Sequence, residues 1–182
     1  MKVASRVGEA LAALHEVRAP EGLAPADWDS FIAEQKAGCV ERQRERKLDS
    51  RWLEQIPGFL DSVDLGTPKL ALLHTEVMSD HLLVSPELTL SGLFDFEPAM
   101  RGAIEYEFVA TGLFLTRGDH RAHRALLEGH GCRDIDDELP RRLLAYALLH
   151  VYSNLAWYLR DVPPKHETTL DALAEHWFGV HA

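Results

Sequence analysis

His74-Thr75-Glu76-Val77-Met78-Ser79-Asp80-His81-Leu82-Leu83-Val84 sets three polar side chains, His74, Glu76 and His81, at fixed offsets in a loop, and Leu93-Phe94-Asp95-Phe96-Glu97 follows at short range. Leu70 to Leu73 make a short continuous apolar run after the breaker Gly66-Thr67-Pro68, which reads as a buried strand. Leu82-Leu83-Val84 and Leu88 to Phe94 read as the two arms of a hairpin, with Ser85-Pro86-Glu87 as turn material. A hairpin returns its second arm to the starting point of its first. Asp95 is therefore expected close to His81 and Glu76, although it is distant from both in sequence.

Converging acids of this kind suit phosphoryl transfer, which asks little covalent chemistry of a protein. One carboxylate must orient the attacking hydroxyl, and metal ligands must hold Mg²⁺ against the phosphates of a nucleotide. Taken alone, Asp95 reads as a turn or capping residue, because Asp bonds locally to its own backbone. The joint presence of His74, an acid two residues on, a polar ligand at the eighth position and Asp-Phe-Glu after a hairpin reverses that reading. A zinc site built on His74, Glu76 and His81 is disfavoured, because the spacing fits no helical His-Glu-x-x-His template. His74 is expected instead to order the loop by bonding to backbone near Asp95.

These residues resemble the catalytic core of the aminoglycoside phosphotransferase and choline kinase-like family, whose loop reads His-Gly-Asp-x-x-x-x-Asn and whose next strand ends in Asp-Phe/Trp-Glu. Gly102-Ala103-Ile104-Glu105-Tyr106-Glu107-Phe108-Val109-Ala110 is similar to the family's Gly-x-x-x-Tyr-Glu/Asp segment, and Val7 to His15 to its helix ending in Leu-His. The resemblance implies a mainly helical α+β fold, the large C-terminal lobe of a protein kinase-like structure, with a small β-hairpin sheet carrying the catalytic loop. It implies an ATP-dependent phosphotransferase acting on a hydroxyl of a small molecule. Glu76 and His74 take the catalytic positions, Glu76 as the base, while His81 and Asp95 take the cofactor and metal positions, with ATP and Mg²⁺, or Mn²⁺, as cofactors.

Three departures from the family pattern bear on this expectation. Glu76 reaches one methylene further than the family's Asp. His81 offers an imidazole where the family has an amide oxygen, and Mg²⁺ is a hard ion that prefers oxygen. The smaller N-terminal lobe, with its Gly-rich loop and phosphate-pairing lysine, has no counterpart in residues 1–182, which read as one domain. A kinase-like lobe that binds a ligand or partner without turnover is therefore the competing reading, and the face left by the missing lobe is where a homodimer or a partner chain would dock.

The 182 residues are 46% hydrophobic, enough for one buried core, and carry a formal net charge of −10. Such acidity argues against nucleic acid and favours cationic ligands among small-molecule substrates. Cys39 and Cys132 form no disulfide framework, which fits the cytoplasm. The N-terminal residues lack the apolar core of a signal peptide, and the most apolar stretch, Leu143 to Leu159, is interrupted by His150, Ser153 and Asn154, so no membrane partner is expected.

Helices are expected elsewhere. Val3, Val7, Leu11, Leu14 and Val17 make an apolar stripe that needs a partner surface. A second helix capped near Asp27 carries Trp28, Phe31, Ile32, Cys39 and Val40 and ends in a charge run, Glu41 to Lys47, read as a solvated face. A third carries Trp52, Leu53, Ile56 and Leu60, with Pro57 ending or kinking it. Further helices are expected over 105–115, 119–128, 137–160 and 168–178. His120, His123 and His130 are expected at the surface, and Glu105 and Glu107 are read as acids favoured by a helix N-terminus, with cationic-substrate contact as the alternative.

Overall fold

A computed structural model describes residues 1–133 and 135–181. Helices dominate it, and two short antiparallel strand pairs sit in the middle of the chain. The fold is thus the expected mainly helical α+β arrangement. In the first pair, β1 (Leu70–Leu73) runs beside β4 (Met100–Ala103), with Leu70 opposite Ala103 and Leu73 opposite Met100. In the second, β2 (Leu82–Val84) runs beside β3 (Leu90–Leu93), with Leu82 opposite Leu93. The strand expected at Leu70 to Leu73 is thus paired with one that was not expected, Met-Arg-Gly-Ala, which carries no alternating pattern to announce it. The hairpin turn also reaches further than Ser85 to Glu87. Ser85 N–H donates to Thr89 O, and Leu88 lies in the turn at φ 59° instead of opening the second arm.

The N-terminal helix α1 (Lys2–His15) does bury Val7 and Leu11, but against α6 (His120–His130), within the chain. No outside partner is needed for this stripe. Glycine on both sides lets the backbones meet: a Cβ at Gly8 would overlap the Leu126 carbonyl, and one at Gly129 the Ser5 carbonyl. Val17 lies past the helix end and is 53% exposed. The expected surface position of the α6 histidines is overturned by the same packing. His123 is fully buried, its Nδ1 bonded to Phe178 O at 2.9 Å, and His130 meets His15 at 2.8 Å. His120 sits between the carbonyls of His176 and His181.

Helix α2 (Trp28–Glu45) starts where Asp27 accepts from Ser30 N–H. Its charge run is not simply solvated. Gln43 is buried, and Arg42 donates to Leu148 O. The third predicted helix is two: α3 (Ser50–Leu53) and α4 (Ile56–Ser62). Pro57 begins the second of these, because a first-turn proline gives up an N–H that has no helical acceptor anyway.

After β4, α5 (Ile104–Ala110) passes into a π-helical segment, Thr111–Thr116. The long helix expected over 137–160 is broken into α7 (Leu139–Leu149) and α8 (Leu155–Asp161), and α9 (Leu170–Phe178) closes the chain. The break is stabilised from afar. Gln43 donates to Ser153 Oγ at 2.8 Å and accepts from Leu155 N–H at 2.9 Å, while Asn154 caps α8 by accepting from Trp157 N–H. No helix of the described residues is long and apolar enough to cross a membrane.

Candidate phosphoryl-transfer site

The loop that follows β1 is fixed from below by one buried carboxylate. Glu107, fully buried on α5, accepts from His74 N–H at 2.6 Å and from Thr75 N–H at 2.9 Å. Thr75 lies at φ 72°, a left-handed conformation unfavourable for a β-branched residue, and persists because both flanking amides and its own hydroxyl, which donates to Pro98 O, are held. Sequence reasoning placed Glu107 at a helix N-terminus as a dipole partner; the structure makes it the anchor of the loop. The Tyr106-Glu107 pair of the third motif was the available signal. Glu105, on the opposite side, is tied to Arg142 through both carboxylate oxygens, and neither acid meets the loop's open face.

His74 is buried, and its ring bridges two parts of the site. Nε2 donates to Phe94 O at 2.8 Å, and Nδ1 accepts from Glu76 N–H at 3.3 Å, which fixes the neutral tautomer. Phe96 packs edge-on against the same ring at 4.5 Å. The hairpin closes from the other side, where Phe94 N–H donates to His81 O. Asp95 therefore arrives beside His81, with 3.5 Å between His81 Nε2 and Asp95 Oδ2. Asp95 takes φ 68°, a region Asp tolerates better than most residues.

His81 is oriented as firmly as His74. Its Nδ1 donates to Glu76 O at 2.6 Å, so in the neutral ring the lone pair sits on Nε2, facing the Asp95 carboxylate. The pair offers one nitrogen and one carboxylate. That donor set does not fit Mg²⁺, which takes oxygen ligands in near-ideal octahedral geometry. Glu97 is exposed and enters none of these contacts.

The half-buried Glu76 opens in another direction. Among the described residues its carboxylate has no hydrogen-bond or ion-pair partner, and it borders a pocket of about 210 Å³. Phe114, Tyr152, Trp157 and Tyr158 give this pocket an aromatic wall, and Arg46 stands at its rim. The wall depends on two irregularities described above: the π-helical segment carries Phe114, and the α7–α8 break carries Tyr152. Neither was expected from sequence, and Arg46 was hidden in the charge run. A larger cavity of about 540 Å³ lies elsewhere, against Glu105, His130 and Arg142. None of the loop residues borders it, and its strongest charges satisfy one another, since Arg142 binds both Glu105 and Asp136.

The comparisons with known proteins bear on the fold and the family. Among solved structures, the chain superposes on one described as macrolide 2'-phosphotransferase type I with a TM-score of 0.61 at 19% identity, covering 98% of this chain and 59% of that one. It superposes on spectinomycin phosphotransferase APH(9)-Ia, solved in complex with ADP and spectinomycin, with a TM-score of 0.52 at 12% identity, covering 95% of this chain and 64% of that one. The chain thus spans about three-fifths of each, and identities this low speak for the fold alone. No curated protein matches. The model of the phosphotransferase enzyme family matches residues 2–146, a span that holds α1, both strand pairs, the loop at His74 and the Glu107 anchor. By that match and by the fold around it, the chain belongs to the phosphotransferase enzyme family.

Proposed function

We propose that this lobe transfers the terminal phosphoryl group of a nucleoside triphosphate, ATP in the first instance, to a hydroxyl of a small molecule seated in the aromatic-walled pocket. The observation that carries the reading is the position of Glu76: a carboxylate without a partner among the described residues, lining a pocket and lying in the same loop as His81, which the hairpin pairs with Asp95. Glu76 orients the acceptor hydroxyl and takes its proton as the new oxygen–phosphorus bond forms and the bond from the γ-phosphorus to the β–γ bridging oxygen breaks, releasing the nucleoside diphosphate. His74 holds the loop by its two ring bonds, and Glu107 holds the backbone beneath it. The extra methylene of Glu76 moves the carboxylate outward, which suits a hydroxyl held against the pocket wall.

The aromatic wall and the acid favour an acceptor that joins apolar surface to an amino group, since a cation over an aromatic face and beside a carboxylate is stabilised twice. The neighbours' names, a macrolide and a spectinomycin phosphotransferase, make those two drug classes the first acceptors to try. Labelled ATP incubated with the chain and each acceptor should give phosphorylated product. Glu76→Gln should cut kcat by roughly 10²–10⁴, with a smaller loss of acceptor binding from the missing carboxylate. Undiminished turnover in that variant rules out the assignment of the base.

The competing reading is a lobe that binds without turnover, and one observation favours it: the imidazole at position 81. The same experiment separates the two, because acceptor binding without product in every metal tried would support the binding module.

A further inference from the structure

We infer that the His81–Asp95 pair selects a divalent transition ion that accepts imidazole nitrogen in near-tetrahedral geometry, of the Co²⁺ or Zn²⁺ class, over Mg²⁺. The orientation of His81 carries the inference. Because Nδ1 is committed to the Glu76 carbonyl at 2.6 Å, the free lone pair is on Nε2, and it faces a carboxylate 3.5 Å away. This is the arrangement of a ligating histidine, one nitrogen held by a backbone carbonyl and the other presented to the ion. Packing holds the ring there, with Phe94 edge-on at 6.0 Å and only 13% of the His81 side chain exposed.

The spacing of the donors points the same way. Two donors 3.5 Å apart, each about 2.1 Å from a common ion, subtend roughly 110°, which is close to tetrahedral and far from the right angle an octahedral Mg²⁺ requires. Imidazole suits Zn²⁺ and its neighbours, whereas carboxylate and water suit Mg²⁺. Among the described residues no third His, Cys, Asp or Glu joins the pair. For the remaining ligands the inference rests on the phosphotransferase reading: nucleotide phosphate oxygens would complete the shell.

The test is competition between Co²⁺ and Mg²⁺ for the full chain, with and without ADP, followed by the visible absorption of Co²⁺, which is strong in tetrahedral and weak in octahedral coordination. His81→Asn is the informative variant. Asparagine keeps an N–H for the Glu76 carbonyl and offers an amide oxygen to the ion, so the comparison cancels any preference of ADP itself. The wild-type preference for Co²⁺ should exceed that of His81→Asn by about tenfold or more. His81→Gln and thermal melting guard against a folding defect. A ratio identical in the wild type and both folded variants overturns the inference, as does failure of the wild type to retain Co²⁺ at all. Equal ADP·Mg²⁺ binding by wild type and variant would leave the phosphotransferase reading intact while the metal inference fails. Co²⁺ held through His81 but indifferent to ADP would do the reverse.

Discussion

Glu107 shows how much of the site rests on a residue that touches no substrate. Among the described residues its carboxylate accepts the only hydrogen bonds given by the His74 and Thr75 amides, and those amides are buried with it. An amide at this position would turn one oxygen into a donor facing a donor. Glu107→Gln is therefore expected to cost about 2–4 kcal/mol in urea unfolding, the usual range when a buried hydrogen-bonded acceptor is lost. A cost under about 0.5 kcal/mol, the level of an ordinary surface change, would mean the loop is held by something else. The effect on turnover should exceed the effect on folding, because release of Thr75 from φ 72° relaxes the backbone between His74 and Glu76. His15 approaches the same carboxylate. Its Nε2 lies 3.6 Å from Glu107 and has no hydrogen-bond partner among the described residues.

Elements were legible in proportion to how local their causes are. The strand before His74, the hairpin after it and the helix cap at Asp27 follow from neighbours within a few residues, and each could be read in sequence. The convergence of His81 with Asp95 followed from hairpin geometry alone. The break after Leu149 was illegible because its cause is Gln43, separated from Ser153 by 110 positions. The pocket wall was lost with it. The crossing of α1 and α6 is likewise long-range, yet it leaves a local trace in Gly8 and Gly129, and it makes a test. Alanine at either position drives a Cβ into backbone carbonyl atoms of the partner helix, which cannot swing aside as a side chain can. Gly8→Ala and Gly129→Ala should each cost about 1–3 kcal/mol, or roughly 2–12 °C in melting temperature for a chain of this size. Gly58, in α4, has nothing within 4 Å of its would-be Cβ, and Gly58→Ala should raise the melting temperature slightly by helix propensity. Equal behaviour of the three variants in a thermal scan would remove the close crossing as the explanation.

For the molecule as a whole, the buried histidines set the response to pH. Burial pushes His123 and His150 down to about 4 from an ordinary 6.5, and half-buried His130 also to about 4 through burial and the charge of His15. In the unfolded chain all three regain an ordinary value near 6.5. Between those limits the unfolded state binds more protons than the folded one, so stability is complete above about pH 6.5 and declines as pH falls toward 4. His123 and His150, nearly inaccessible to water, should each contribute on the order of 2–3 kcal/mol to that loss, and His130 less, because solvent reaches it. The carboxylates act lower on the scale. Asp136 is held below its usual value chiefly by hydrogen bonding to Arg142, so its contribution is present above about 3.8 and disappears only on further acidification. Urea midpoints at pH 7.5, 6.5, 5.5 and 4.5 should therefore begin to fall below pH 6.5, above the ordinary carboxylate range, despite the relief of a net charge of −10 that acidification brings. His150→Phe isolates one share of the effect. The imidazole stacks on Tyr106 at 4.6 Å, a contact a phenyl ring can reproduce, although the acceptor for Tyr152 N–H is lost. That variant should unfold with a pH slope shallower by close to one proton near pH 5, about 1.4 kcal/mol per pH unit. An unchanged slope would mean that His150 already ionises in the folded protein, and that water reaches the floor of the aromatic pocket it borders.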